Sequence, residues 1–424
     1  MGLRLGVASG LYRLLDCAGA GVGGGMSPDF VGDCRLSNVD CRMAGGRRGR
    51  RFSLGAAVAI VLAGCAQHKV RPETDNRVEL RRRAMECLKA AVGYPHNPVV
   101  RVEAVEALKA RSDDHARPWI RSALLDDQPA VRFAACVAVG EVRDAGAEAG
   151  VLKCMKDPSA AVRVAALFAR HCLGHTARTG DLAGYLLRDN DATVRRNAAL
   201  VLGLLGEQGA VKVLAKGMKD ADPGVREHVL EAMARLGNRE ARQELTFMTG
   251  AGVGSDEVFA VSALAATGDP VYLETFRYKL ATATHLETRL AAARGLGLLH
   301  SDEGFGIAMG ALRQDQLRRD DPQARRDRQT SRPRVRRADQ GGRVWEGPSG
   351  SVETEGQMLR TRQLAAAALG AIGRADALPA LATLLDDSRD PRVQVSAARA
   401  ILDIVDADRK KALPYAAAAV RQER

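Results

Sequence analysis

Apolar residues return every three or four positions through most of the chain, and that pattern itself returns at intervals of about 31 residues, the mark of a repeat architecture. A Val-Arg pair sets the phase at Val100-Arg101, Val131-Arg132, Val162-Arg163, Val194-Arg195 and Val225-Arg226, with a constant interval but for one extra residue before Val194. Weaker copies continue at Phe259-Ala260, Thr288-Arg289, Thr361-Arg362 and Val393-Gln394. Steps of three and four gather apolar side chains on one face of a helix. Each unit holds two such stretches. In the fourth, Val194, Ala198, Leu200, Val201 and Leu204 form the first, and Val211, Val213, Leu214 and Met218 the second, with Gly206-Glu207-Gln208-Gly209 turning the chain between them. One hairpin of this size has too little surface to bury its own stripe and must stack on its neighbours. The expected fold is all-α: a right-handed α-solenoid of about nine helix hairpins with one disordered insertion.

The punctuation agrees with that reading. Asp157-Pro158, Asp222-Pro223 and Asp390-Pro391 place a side-chain acceptor at the N-cap and a proline where its missing N–H costs nothing. Gly140, Gly174, Gly237, Gly268 and Gly373 fall at or near the ends of first helices, where a left-handed cap favours glycine. Alanine pairs at 134-135, 165-166, 198-199, 291-292, 366-367 and 397-398 allow neighbouring helices to approach closely. The interval from Arg289 to Arg362 is more than twice the period, so a long charged segment interrupts the array without ending it. The expected division is a leader of 1–42, a signal segment of 43–64, a tether of 65–75, repeats over 76–312, the insertion over 313–357 and repeats again over 358–424. Residues 74–92 are expected to cap the array with Arg81, Arg82 and Arg83 outward, and residues 408–424 to form its final helix.

A unit of this length with Asp, Pro, Val-Arg, an alanine pair and a closing Leu-Gly resembles the HEAT repeats of the phycobilisome-lyase type, over roughly residues 76–312 and 358–418. Arg101, Arg132, Arg163, Arg195, Arg226, Arg289 and Arg362 are read as structural, bridging to an aspartate or a helix end of an adjacent unit. Nine units advancing about 9 to 10 Å each give an array on the order of 85 Å long, with an extended surface.

From Met43 the chain reads differently. Four arginines (47, 48, 50 and 51) precede an apolar run, Leu54 to Ala63, and then Gly64-Cys65. This is a basic region followed by the hydrophobic core of a secretory signal. Ten residues of helix reach only about 15 Å, half of the roughly 30 Å of bilayer hydrocarbon. Leu62-Ala63-Gly64-Cys65 resembles the lipobox of bacterial lipoproteins, which implies cleavage before Cys65, diacylation of its thiol and acylation of the new amino group. The address implied is the periplasmic face of a bacterial cell envelope, with the outer membrane favoured. Because that signal belongs at an N-terminus, residues 1–42 read as an over-extended or unstructured leader.

Composition and charge narrow the function. Hydrophobic residues make up 46% but aromatics only 4%, against the β-branched and aromatic preference of sandwiches and barrels. The net charge of +12 invites nucleic acid, yet +4 of it lies in residues 1–64 and +6 in 313–343, leaving +2 for the folded body. Within the insertion, Arg325, Arg326, Arg328, Arg334, Arg336 and Arg337 are candidates for binding an anion or a phosphate backbone. Five aspartates interrupt that segment and Trp345 is its one aromatic, so a solvated loop is favoured and nucleic acid disfavoured. Cys87, Cys136, Cys154 and Cys172, separated by 49, 18 and 18, lack zinc-site spacing and read as small buried hydrophobes. An oxidising compartment would permit a disulfide between adjacent repeats, with no pair selected by spacing. His171 and His175 have ligand spacing, but Gly174 is expected to end their helix. The His-Glu dyads of HEAT-repeat hydroxylases are missing, since Glu227-His228 has the reverse order. The reading is therefore a non-enzymatic protein without metal or cofactor: a lipid-tethered scaffold with a protein partner of unknown identity. Its alternatives are a bilin-lyase-like or chaperone-like maturation factor, and an anionic-polymer or nucleic-acid binder.

Overall fold

The computed structural model describes residues 72–111, 115–175, 180–320, 355–387 and 390–422. The lipobox at Leu62–Cys65 and the arginines from Arg325 to Arg337 lie outside these. Among the described residues the chain forms helices and no strand. A first helix, α1 (Pro72–Val92), is followed by eight hairpins. Their first helices are α2 (Pro98–Lys109), α4 (Pro129–Val142), α6 (Ala160–Cys172), α8 (Ala192–Leu205), α10 (Pro223–Arg235), α12 (Gly254–Thr267), α14 (Leu286–Leu298) and α16 (Glu355–Ile372). Each pairs with a second helix, respectively α3 (Arg117–Ala123), α5 (Glu148–Cys154), α7 (Asp181–Arg188), α9 (Val211–Gly217), α11 (Arg239–Met248), α13 (Leu273–Thr282), α15 (Phe305–Asp320) and α17 (Leu378–Leu385). The last helix is α18 (Pro391–Gln422).

The even-numbered helices pack side by side as an inner layer and the odd-numbered ones cover them. Inner helices are buried nearly all round: every residue of α2 from Val100 to Leu108 is buried, as is α4 from Phe133 to Gly140. The alanine pairs explain how. Ala134, Ala135, Ala165, Ala166, Ala198 and Ala199 have no exposed surface, so successive inner helices meet almost backbone to backbone.

Two expected boundary signals work differently. Gly140 is not a cap but lies within α4, where a β-carbon would stand 2.6 Å from the Phe168 ring of the next inner helix. The left-handed cap of α4 falls on Arg143, at φ 51°. Asp222 caps α10 as the motif suggests, accepting from the Val225 N–H at 2.9 Å. Asp157 instead closes a turn with the Ser159 N–H at 2.9 Å, and its helix starts only at Ala160.

The insertion is shorter than its composition implies. Helix α15 runs on to Asp320, well into the segment expected to be disordered, because Arg, Gln and Leu suit a helix. At the other side, α16 begins at Glu355.

The array is also not open. Helix α18 packs against α16 and α17 on one side and against α1 and α2 on the other, so the two ends of the array meet. The ninth hairpin is made from both ends of the array: α18 is its inner helix and α1 takes the outer position. Residues 408–422 are not a final helix of their own, since α18 continues through them. Arg81 accordingly is half-buried rather than outward, and its Nε donates to Asp406 at 2.9 Å.

Candidate functional site

The repeated arginines form a ladder along the turns that join one unit to the next. Arg132 is bidentate on Asp157, with Nε to Oδ2 at 2.8 Å and Nη2 to Oδ1 at 2.9 Å. Arg195 holds Asp220 the same way at 2.7 and 2.9 Å. Arg101 donates to both Asp126 and Asp127, each at 2.8 Å. In each case the acid lies at the end of the same hairpin, while the third guanidinium nitrogen returns to the preceding turn. Thus Arg132 Nη1 reaches the Asp126 carbonyl at 2.7 Å and Arg195 Nη1 the Asp189 carbonyl at 2.9 Å. One side chain therefore ties two turns, satisfying carbonyls that would otherwise be left unpaired.

Arg163, Arg226 and Arg289 keep a carbonyl contact without the bidentate acid. Arg163 binds the carbonyls of Asp157 and Pro158 at 2.8 and 3.0 Å and meets Tyr185 Oη at 3.3 Å. Arg226 binds those of Asp220 and Ala221 at 2.7 and 3.0 Å. Arg289 binds the carbonyl of Leu280 at 3.0 Å, and Arg362 is half-buried on α16. Burial pushes Asp157 up, but hydrogen bonds from Arg132 and the Ser159 N–H outweigh it and hold the carboxyl below its ordinary range. The Arg195 guanidinium does the same for Asp220.

The seam where the ends meet carries a second polar network, one that nothing in the repeat pattern marks. Arg111 pairs with Asp403 and, at 3.1 Å, with Asp406; Arg83 pairs with Asp386. Inside it, Gln363 Nε2 on α16 donates to Glu103 on α2 at 3.1 Å and lies 3.4 Å from Ser396 Oγ on α18. All three side chains are buried. Burial raises the Glu103 carboxyl to about 8 despite the opposing hydrogen bond from Gln363. Beside this network a cleft of about 420 Å³ opens between α1, α17 and α18, lined among others by Cys87, Tyr94, Val100, Leu385 and Val395.

Among the described residues the exposed large apolar side chains are Val78, Trp119, Leu125, Leu152, Leu187, Phe247, Val253, Val271 and Tyr278. Each lies on an odd-numbered helix or the turn beside one. Phe247 and Tyr278, the most exposed aromatics among the described residues at 79% and 64%, are one period apart on α11 and α13.

His171 and His175 diverge. The Nε2 of His171 lies 3.8 Å from Glu207, while that of His175 lies 2.9 Å from Glu148. The helix ends between them, at Cys172, with Gly174 at φ 86°. His228 is buried and its Nδ1 lies 2.8 Å from the Gly224 carbonyl. Among the described residues no three His, Cys, Asp or Glu side chains cluster as a metal site would need, and no helix is long and apolar enough to cross a membrane.

The family model for HEAT repeats matches residues 86–169 and 181–253, and that for the PBS lyase HEAT-like repeat matches residues 361–387. These stretches of the chain are HEAT repeats. The α12–α13 and α14–α15 hairpins lie between the matched stretches and have the same inner-and-outer arrangement. No curated protein matches the chain. Among solved structures it is similar to the CpcE and CpcF complex of phycocyanin lyase from Nostoc sp. PCC7120, at 18% identity over 53% of this chain and 91% of that one, with a TM-score of 0.36. It is also similar to human deoxyhypusine hydroxylase, at 16% identity over 78% of this chain and 98% of that one, with a TM-score of 0.32. A third is the karyopherin Kap121p, at 14% identity over 80% of this chain and 38% of that one, with a TM-score of 0.31.

Proposed function

We propose that this HEAT-repeat protein is a scaffold held at a membrane by lipid on Cys65, docking a protein partner on its outer helices. One observation carries the docking face: the inner helices are sealed by their neighbours, and among the described residues the large apolar side chains left in solvent belong to the outer layer or its turns. Aromatic side chains held on rigid helices supply contact area at low entropic cost, which suits Phe247 and Tyr278 to the centre of such a contact. The ladder arginines are not available for this role, since their guanidinium groups are engaged within the array.

The tether follows from the basic, apolar and Leu-Ala-Gly-Cys succession at residues 47–65. Acyl chains contribute about 0.8 kcal/mol per buried CH₂, so three of them anchor a protein stably. The test combines both parts. A photo-reactive residue at position 278 is expected to capture one protein in envelope fractions, and Phe247→Asp to abolish that capture without changing helicity. Radiolabelled acyl chains are expected in the intact protein and not in Cys65→Ala. Capture that is identical from position 278 and from exposed Gly209 on the turn before α9 would refute the docking face; soluble, unacylated protein would refute the tether.

A further inference from the structure

Cations gather on one part of the outer layer. Lys153, Lys156, Arg188, Lys212, Lys216 and Lys219 stand exposed on α5, α7 and α9 or just past their ends. None of the six pairs with a carboxylate among the described residues. Three of them form a row. Lys156, Arg188 and Lys219 each come two positions after a buried residue, Cys154, Leu186 and Gly217 respectively, so they hold the same place in three successive units. At about 9 to 10 Å per unit, the row covers about 20 Å. Lys153 and Lys216, three residues before its two ends, widen it.

The neighbouring acids are already engaged or lie elsewhere. Asp157 and Asp220, next in the chain to Lys156 and Lys219, are held by Arg132 and Arg195. Asp189, next to Arg188, accepts from the Asp191 N–H at 2.9 Å, and Asp191 from the Thr193 N–H at 2.7 Å. Glu148 and Asp181 begin α5 and α7, at the ends opposite the row, and α9 contains no acid. Apolar side chains accompany the cations. Leu152 precedes Lys153 and Leu187 precedes Arg188, both partly in solvent, and Leu125, one period before Lys156, is 69% exposed.

We propose that this face of the outer layer rests on an anionic lipid surface, with phosphate headgroups against Lys156, Arg188 and Lys219 and the leucines at the acyl boundary. A bilayer offers negative charge over an extended plane, so each cation near it adds its own attraction. Leucines set among lysines are the composition of a protein surface that lies in the membrane interface. An acidic peptide would satisfy the cations and leave Leu125, Leu152 and Leu187 without apolar contact. The inference deepens the tethered scaffold proposed above and rests on it for the presence of a membrane: lipid on Cys65 brings this face within reach, and Phe247 and Tyr278 on α11 and α13 stay clear for the protein partner. The contact itself needs no acyl chain.

The test places an environment-sensitive fluorescent amino acid at Leu187 in the full chain carrying Cys65→Ala, which has no acylation site there. Vesicles of phosphatidylglycerol and phosphatidylcholine in equal parts are expected to shift its emission to the blue, and phosphatidylcholine vesicles to leave it unchanged. The shift is expected to vanish in about 1 M salt, where charges are screened beyond about 3 Å. It is also expected to vanish with Lys156→Gln, Arg188→Gln and Lys219→Gln together, at unchanged far-UV helicity. The same probe at Phe247 is expected to keep its aqueous emission with both kinds of vesicle. Equal shifts at the two positions, a shift with neutral vesicles, or one that survives the triple substitution would overturn the proposal. So would the absence of a shift with anionic vesicles; a change at Leu187 on adding polyglutamate, removed by the triple substitution, would then assign the face to an acidic protein. Because this chain lacks Cys65, none of these outcomes bears on the tether, which acyl labelling of the intact protein tests separately.

Discussion

Glu103 is the most direct probe of ring closure, because it sits where the first unit meets the last. Its carboxyl is buried and faces Gln363 and Ser396, with Arg392, Asp390 and Arg399 acting on it from α18 and the turn before it. Burial raises it from 4.5 to about 8. An acid raised on folding is more protonated in the folded than in the unfolded chain, so the contribution of Glu103 to stability is highest below pH 4.5 and falls as pH rises to about 8. At about 1.4 kcal/mol per pH unit, the displacement is an order-of-magnitude cost of about 5 kcal/mol once the group is fully ionised. Between about pH 5 and pH 9 the change is about 4 kcal/mol. The substitution Glu103→Gln keeps the shape and removes the ionisation. Several aspartates, Asp144, Asp157, Asp220 and Asp406 among them, are held low and contribute the opposite slope. The informative quantity is therefore a difference. Unfolding free energies of both proteins are measured in urea at pH 5, 7 and 9, and Glu103→Gln is expected to gain on the wild type by about 4 kcal/mol from the first to the last. A difference that stays flat with pH would refute the reasoning, since it would mean that Glu103 meets water and that the seam is open in solution.

Three further outcomes are expected. In the ladder, Arg195→Ala removes the bidentate hold on a largely buried Asp220 and is expected to cost about 3 kcal/mol; Arg195→Lys is expected to recover less than half of it, because an ammonium cannot reproduce the planar fork. Denaturant titration of both variants checks this. Leu202→Ala in α8, at a buried position, is expected to cost roughly 2 to 5 kcal/mol and to speed amide exchange most in α6 to α11 and least in α14 to α18; uniform acceleration would show one cooperative unit. Deleting residues 321–354 is expected to leave far-UV helicity and the thermal midpoint unchanged, as these residues are extra to the period and a shorter loop closes at lower entropic cost.

Much of the fold is legible in single residues. The Val-Arg phase, the three-and-four spacing and Asp222-Pro223 are local signals, and each acts within one or two turns of helix, so the helices stand where the pattern puts them. Local signals fail where a glycine serves a neighbour. Gly140 looks like a cap but makes room for Phe168 on the next inner helix, and the cap passes to Arg143.

Ring closure lay furthest from the sequence. A repeat fixes how one hairpin sits on the next, and any small rotation between them is added at every step, so nine steps decide between an open array and a closed one. No single unit contains that sum. The residues that join the ends, Arg81, Arg83 and Arg111 with Asp386, Asp403 and Asp406, come from opposite ends of the array and follow no period. The sequence by itself determined the unit, its length, its helices and its alanine-lined faces, because those depend on side chains a few residues apart. Only the tertiary structure decided that α1 completes the last hairpin, because that depends on the accumulated geometry of all the units between.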